Sequence, residues 1–168
     1  MRIGVVSDTH DHRRNVTRAI EIFRRHGVQY ILHAGDIVAP FTTLAFAELR
    51  SAKFIAVFGN NDGEKLRLKA TVEGFGGEIH EYCYKGELDG RKICMMHTDH
   101  LAEDAVKSQL YDLVIYGHTH HPDIRREGRT LVVNPGEATD WITGSSHVVI
   151  VDLKDMTHTV EALGEGGA

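Results

Sequence analysis

Short apolar runs alternate with amphipathic stretches along the first half of the chain. Ile3–Val6, Tyr30–Leu32 and Phe54–Phe58 are apolar runs of strand length. Residues 15–25 show helical spacing, and Gly27 ends that helix. Two further helices are predicted, from Pro40 to about Arg50 and from Lys65 to about Phe75. Strands that alternate with helices predict a parallel sheet covered by helices.

Short strands crowd together in the second half of the chain. One helix, Ala102–Gln109, interrupts them, and Asp89-Gly90 is a typical hairpin turn. The predicted strands are Glu78–His80, Tyr82–Leu88, Arg91–Met96, Leu113–Tyr116, Pro122–Arg126, Thr130–Val133, Val148–Asp152 and Thr157–Leu163. The whole pattern predicts an α/β (α+β) fold in which two mixed sheets pack face to face with helices outside.

Composition narrows the class of protein. The 168 residues, 42% of them hydrophobic, fit one domain over residues 1–163, with a frayed tail at residues 164–168. The net charge of −5 argues against broad binding to nucleic acid. The chain has no apolar run of 18 residues, so no membrane span is predicted. Cys83 and Cys94 form no disulfide framework, and a reducing cytoplasm is the simplest compartment.

Polar clusters follow five of the predicted strands. Parallel sheets bind ligands at the carboxyl ends of their strands, so the five ends are expected to converge on one crevice. The clusters contain seven oxygen and nitrogen donors, namely Asp8, His10, Asp36, Asn60, His97, His118 and His120. Seven donors are too many for one four-coordinate ion, but they suit two divalent ions if one carboxylate bridges them. Without a thiolate, manganese is our first choice of metal, with nickel, iron, zinc or cobalt as alternatives.

Each cluster alone is weak evidence, because a strand-end aspartate or asparagine often caps a helix. The conjunction of five clusters carries the prediction. Of the twelve histidines, seven are assigned surface or local structural roles, and His100 is placed in a loop at the rim of the site. The seven are His12, His26, His33, His80, His121, His147 and His158.

The ordered set Asp8-x-His10, Gly35-Asp36, Gly59-Asn60-x-Asp62, His97 and Gly117-His118-x-His120 resembles the calcineurin-like metallophosphoesterase superfamily. The N-terminal strand and Asn134-Pro135-Gly136 resemble its small bacterial and archaeal phosphodiesterase branch. The resemblance implies a four-layer α-β-β-α sandwich. It implies that Asp36 bridges two ions, and that a hydroxide held between them attacks phosphorus. The first ion would take Asp8, His10, Asp36 and His120, and the second Asp36, Asn60, His97 and His118.

The chain departs from the family pattern where many relatives have a histidine that contacts phosphate. Asn61 stands there, and it donates hydrogen bonds but no proton at neutral pH. We expect Asn61 to help position substrate, Asp62 to orient the site and His100 to be a possible proton source. A second departure is Thr98, where a glycine usually follows the strand-end histidine.

The resemblance implies hydrolysis of a small phosphate diester. Two alternatives stay open, a phosphomonoesterase with the same two ions and a binding scaffold of the same fold. A homodimer is a reasonable expectation from the prevalence of symmetric dimers. Trp141 and Ile142, in a late loop, are candidate interface residues, although packing on their own domain explains them equally well.

Overall fold

The computed structural model describes residues 1–164, and the alternation predicted for the first half is confirmed. Its elements are β1 (Arg2–Val6), α1 (Arg13–His26), β2 (Tyr30–His33), α2 (Pro40–Thr43), a 3₁₀ helix (Leu44–Glu48), β3 (Lys53–Val57) and α3 (Lys65–Gly74). The second half contains β4 (Glu78–His80), β5 (Cys83–Leu88), β6 (Arg91–Met96), α4 (Asp99–Lys107), β7 (Leu113–Ile115), β8 (Asp123–Glu127), β9 (Thr130–Asn134), β10 (His147–Asp152) and β11 (Thr157–Ala162).

The strands form two mixed sheets. The first has the order β11-β10-β1-β2-β3-β4, and the second has the order β5-β6-β7-β9-β8. Strands β1 to β4 run parallel to one another, as do β6, β7 and β9 in the second sheet. Each sheet therefore contains neighbouring parallel strands whose carboxyl ends share one edge, which is where α/β sheets bind ligands.

Alternation within the strands assigns each side chain to a layer. In β1, Ile3 and Val5 belong to the core between the two sheets, and Val6 belongs to the core under the helices. Helices α1 and α3 cover the outer face of the first sheet, and α4 covers the outer face of the second. The predicted four-layer α-β-β-α sandwich is confirmed. Gly4 permits the close approach of α1, because a Cβ there would lie 2.5 Å from the ring of Phe23.

The helix expected from Pro40 to about Arg50 is wrong in extent, because the α helix stops at Thr43 and a 3₁₀ helix follows. The Thr43 hydroxyl donates to the Ala39 carbonyl oxygen at 3.2 Å, a bond of the kind that bends helices, and the tighter winding buries Phe46. The tail predicted at residues 164–168 lies outside the described residues from 165 onward. Over residues 1–164, no helix is long and apolar enough to span a membrane.

Candidate metal centre

Six strand ends bring polar residues together at one edge of the sandwich. Five of them carry the predicted clusters: Asp8 and His10 follow β1, Asp36 follows β2, Asn60 follows β3, His97 follows β6, and His118 and His120 follow β7. Backbone hydrogen bonds join the loops, from the Asp8 amide to the Gly35 carbonyl at 3.0 Å and from the His10 amide to the Asp36 carbonyl at 3.1 Å. The predicted convergence on one crevice is therefore what the fold produces.

One group consists of Asp8, His10, Asp36 and His120. One potential ligand atom from each of the four lies within 4.8 Å of the others. Asp8 Oδ1 is 3.6 Å from His120 Nε2, and Asp36 Oδ2 is 3.6 Å from His10 Nε2. Atoms that share one ion at about 2.1 Å lie at such separations. The first ligand set that the family resemblance implied is thus assembled around one point.

Two atoms of this group, Asp8 Oδ1 and His10 Nε2, are buried and have no hydrogen-bond partner within residues 1–164. The other carboxylate oxygen of Asp8, Oδ2, accepts from the Ser7 hydroxyl at 2.5 Å and from the His118 amide at 3.1 Å. Leaving a buried polar atom unpaired is costly, so an orphaned oxygen beside an orphaned nitrogen needs a partner that accepts lone pairs. A divalent cation is such a partner, and the residues present fit one.

A second group of predicted donors also lies close to Asp36. His97 Nε2 lies 2.9 Å from Asn60 Oδ1 and 3.4 Å from Asp36 Oδ2, and the rings of His97 and His118 are 5.0 Å apart. His97 Nδ1 donates to the Ala34 carbonyl at 2.8 Å, so Nε2 is the nitrogen that would give up its proton to bind an ion. Nε2 faces the oxygens of Asn60 and Asp36, so this arrangement also suits a cation.

Burial acts to raise the pKa of both Asp8 and Asp36, but the net shifts have opposite directions. Burial raises the pKa of Asp8, and the hydrogen bond from Ser7 opposes this only in part. Burial also acts to raise the pKa of Asp36, but hydrogen bonds from His97 and Asn61 outweigh it and hold that pKa well below its usual range. Asp36 is therefore ionised at neutral pH, as a bridging ligand must be.

Backbone strain is concentrated at this edge. Five of the seven predicted donors have positive φ angles, with 52° at Asp8, 37° at His10, 57° at Asp36, 69° at His118 and 61° at His120. Each such conformation costs a residue other than glycine of the order of 1–3 kcal/mol. The fold keeps five of them in one place, which is typical of a site whose geometry serves a function rather than stability.

Two strand-end glycines let the loops approach closely enough to form the site. A Cβ on Gly59 would lie 2.1 Å from Asp36 Oδ1 and 2.4 Å from the Asp36 amide nitrogen. A Cβ on Gly117 would lie 1.9 Å from the Ser7 hydroxyl oxygen. Any side chain at either position would displace a predicted metal-binding aspartate or its hydrogen-bond partner.

The residues predicted to orient and assist the site have distinct surroundings. Asp62 is buried, and its carboxylate accepts from the Ile37, Val38 and Gly59 amides at 2.7–2.8 Å and from the Asp36 amide at 3.2 Å. Asn61 is exposed, and its side-chain amide donates to Asp36 Oδ2 at 2.7 Å. Asp62 thus ties the loop after β2 to the loop after β3, and Asn61 contacts the predicted bridging carboxylate.

His100 does not lie in a rim loop, so that placement was wrong. It occupies the first turn of α4, with Thr98 as the N-cap residue in an extended conformation. Its side chain is 72% exposed, and its nearest acidic neighbour is Asp99 at 3.9 Å. The apolar positions of α4 that pack on the second sheet are Ala102 and Val106, and this packing leaves the first turn of the helix facing solvent.

Glu137 follows β9, whose end is the sixth at this edge. It is a site residue that sequence reasoning missed. It is 1% exposed, and its Oε2 lies 3.2 Å from His120 Nδ1 and accepts the Thr139 hydroxyl. Because a carboxylate accepts, Nδ1 carries the proton and Nε2 turns toward Asp8, the arrangement common behind metal-bound histidines. Burial acts to raise the pKa of Glu137, but hydrogen bonds from Thr139 and Thr143 lower it to about 2. The signal in the sequence was the polar stretch Asn134-Pro135-Gly136-Glu137 after an apolar strand.

Among the histidines assigned local roles, His33 is the clearest example. It is fully buried, accepts from the Gly35 amide on Nδ1 at 3.2 Å, and lies 3.1 Å from the Thr9 hydroxyl through Nε2. Burial lowers its pKa to about 3. His33 is therefore neutral and serves to pack and connect the loop after β1 with the loop after β2.

This architecture and cluster define a class of protein. The family model for the calcineurin-like phosphoesterase superfamily domain matches residues 1–156, and the chain belongs to this superfamily. Among its relatives, phosphodiesterase MJ0936 of Methanocaldococcus jannaschii is 42% identical over 157 residues, covering 92% of this chain and 94% of the relative. Phosphodiesterase YfcE of Escherichia coli is 26% identical over 155 residues, covering 83% of this chain and 80% of the relative. The predicted kinship with the small bacterial and archaeal branch is confirmed.

Solved structures agree with this classification. An archaeal phosphodiesterase superposes with a TM-score of 0.91 at 38% identity, covering 96% of this chain and 99% of the other. Vps29 of Entamoeba histolytica, solved with zinc, superposes with a TM-score of 0.70 at 20% identity, covering 99% of this chain and 95% of the other. At that identity the second match shows a shared fold alone. The family uses divalent metal, and the chain carries a candidate site for it.

Proposed function

We propose that this protein is a metal-dependent phosphodiesterase that hydrolyses a small phosphate diester. The observation that carries the proposal is the pair of orphaned buried atoms, Asp8 Oδ1 and His10 Nε2, within the four-residue group at the strand ends. Further support comes from relatives that are named phosphodiesterases and together span most of the chain. Over the described residues, the two sheets share one core, and we propose residues 1–163 as one catalytic domain acting in the cytoplasm.

We assign two divalent ions to the centre, with manganese first among the candidates. The first is assigned to Asp8, His10, Asp36 and His120, and the second to Asp36, Asn60, His97 and His118. When bound, such ions polarise phosphoryl oxygens and lower the pKa of a water nucleophile. Asp36 Oδ2 lies 3.6 Å from His10 Nε2 and 3.4 Å from His97 Nε2, which supports assigning this carboxylate to both sets.

Charge reconciles an acidic chain with an anionic substrate. The chain carries −5 overall, but two divalent ions bring +4 to a centre where Asp8 and Asp36 contribute −2. The centre would be about +2 before a nucleophile binds, so the local sign is set by the ions. A phosphodiester, with one negative charge, suits that balance.

The residues of the chain also favour good leaving groups. The Asn61 amide donates a hydrogen bond to Asp36 Oδ2 but cannot act as an acid, and His100 is largely exposed in the first turn of α4. A diester whose leaving group departs as an anion needs no side-chain acid. We therefore expect aryl and other acidic leaving groups to react fastest.

The test combines metal analysis with hydrolysis of bis(p-nitrophenyl) phosphate. Purified protein incubated with manganese is expected to bind two ions per chain and to hydrolyse the diester faster than p-nitrophenyl phosphate. Asp36→Asn and His97→Ala should each abolish the activity, as should a chelator, while Tyr82→Ala, at a residue 78% exposed beside β5, should not.

The alternatives make opposite predictions in the same experiment. Fewer than one ion per chain after incubation would favour the binding scaffold. A preference for the monoester would favour the phosphomonoesterase. Full activity of Asp36→Asn would refute the mechanism altogether.

A further inference from the structure

Trp141 is the single tryptophan of the chain, and it lies exposed beside the metal centre. Its side chain is 63% exposed, on the segment between β9 and β10, and Ile142 next to it is 69% exposed. The indole ring centroid is 6.4 Å from that of His10 and 5.7 Å from that of His12. An aromatic surface of this size therefore lies one side chain away from a predicted metal ligand.

The orientation of the ring leaves it open to a further partner. Trp141 meets His10 at an interplanar angle of 37° and His12 at 58°, so neither histidine stacks parallel on the indole. His12 is itself held in place, because its Nδ1 accepts from the Asn15 amide at the start of α1. A flat ring that packs on the exposed indole would therefore also lie near the fixed imidazole of His12.

The segment that carries Trp141 is anchored to the metal centre by Glu137. While Oε2 of Glu137 holds His120, its Oε1 accepts from the Ile142 amide at 2.9 Å, the Thr143 amide at 2.6 Å and the Thr143 hydroxyl at 2.8 Å. One buried carboxylate thus fixes both a predicted metal ligand and the backbone that directly follows the tryptophan. Such anchoring reduces the entropy that the segment would lose when a ligand packs against it.

We propose that Trp141, with His12 beside it, is a stacking subsite for a nucleobase on one ester arm of the phosphodiester substrate. This inference rests on the proposed function and specifies its substrate class as nucleotide-derived diesters. Stacking of a base on an aromatic side chain corresponds to roughly 5- to 150-fold in affinity and tolerates any base, because every base has a π face. We therefore expect the subsite to bind a nucleobase more tightly than an alkyl group and to show little preference among bases.

Because Trp141 is the sole tryptophan, intrinsic fluorescence reports on the subsite directly. Zinc-loaded protein is titrated with adenosine 5′-monophosphate and, separately, with ribose 5-phosphate, which carries the same phosphate without a base. The adenine compound is expected to quench the emission and to bind at least about 5-fold more tightly. Calorimetry on Trp141→Ala should show the two affinities converging, while Trp141→Phe should keep most of the difference.

Two results would overturn the proposal. One is equal affinity of the unsubstituted protein for the two compounds. The other is emission that changes with protein concentration in the absence of ligand, which would mean that a second copy of the chain covers the indole. Tyr82→Ala serves as the control, since this exposed aromatic lies beside β5 and should leave both titrations unchanged.

A kinetic comparison separates this inference from the proposed function. Thymidine 5′-(p-nitrophenyl phosphate) and methyl p-nitrophenyl phosphate share a leaving group and differ in the other arm. Trp141→Ala is expected to lower kcat/KM for the thymidine diester at least about 5-fold more than for the methyl diester. An equal loss on both would refute the subsite and leave the phosphodiesterase standing. Failure of the unsubstituted, metal-loaded protein to hydrolyse either would refute the proposed function, while the fluorescence titration would still decide the subsite.

Discussion

Replacing Glu137 by glutamine tests whether this buried carboxylate holds the centre in working order. The substitution keeps the size of the side chain and removes its charge. The amide oxygen is expected to turn toward the Ile142 and Thr143 amides, which donate at 2.9 and 2.6 Å, because only an oxygen accepts from both. The amide nitrogen then faces His120 Nδ1, which must accept. The proton of the imidazole moves to Nε2, the atom that faces Asp8, and this tautomer cannot bind a metal there.

The magnitude follows from the pKa of Glu137 and from its contact with His120. Hydrogen bonds lower that pKa from an ordinary value of 4.5 to about 2, which corresponds to about 3 kcal/mol of stability at neutral pH. This contribution is complete above pH 4.5 and disappears as the pH falls through about 2. Glu137→Gln is therefore expected to lower Tm by about 6–12 °C at pH 7. Loss of the partner behind a metal-bound histidine lowers metal affinity by about 10- to 100-fold.

The assay measures both effects separately. Manganese affinity is determined by calorimetry and Tm by thermal unfolding of the metal-free protein, for Glu137→Gln and for Thr143→Val. The second variant removes one hydroxyl that donates to Glu137 Oε1 and leaves the His120 contact alone, so it should lose stability but keep metal affinity. An unchanged manganese affinity in Glu137→Gln would refute the reasoning.

Three further predictions concern the loops behind the centre. Gly59→Ala should abolish metal binding, because its Cβ would lie 2.1 Å from Asp36 Oδ1, whereas Gly63→Ala, with nothing within 4 Å, should be harmless; retained binding in Gly59→Ala by calorimetry would contradict this. Asp62→Ala should lower the free energy of unfolding in urea by more than about 3 kcal/mol, because four backbone amides lose their acceptor. Asp62→Asn keeps an acceptor oxygen, so a smaller loss in Asp62→Ala than in Asp62→Asn would contradict this. The pKa of His33 is about 3 when folded and 6.5 when unfolded, so stability falls as the pH drops below 6.5. The free energy of unfolding, measured in urea, should fall by about 3 kcal/mol less between pH 7 and pH 4 in His33→Gln than in the unsubstituted protein. Equal falls in the two proteins would exclude His33 as the origin of the pH dependence.

Much of this protein can be predicted from its sequence because the signals are local. Apolar runs of strand length and a helical spacing of apolar residues identify the elements, since side-chain direction repeats every two residues in a strand and every 3.6 in a helix. The polar cluster after each apolar run identifies the seven candidate donors, because parallel strands deliver their carboxyl ends to one edge. The helix from Pro40 shows the limit, since its winding after Thr43 depends on how Phe46 reaches the core.

The distances between segments were decided only by the tertiary structure. Glu137 stands 17 residues from His120 in the chain, and a glutamate after a strand has no local feature that marks it as the partner of that histidine. Equally, nothing near Trp141 indicates that its ring lies 6.4 Å from that of His10. His100 shows the converse, because proximity to His97 in sequence suggested a loop, whereas the residue lies exposed in the first turn of α4. Residue types and periodicity are properties of the chain itself, whereas a hydrogen bond or a stacked ring requires two distant segments to meet, and packing of the two sheets determines which segments do.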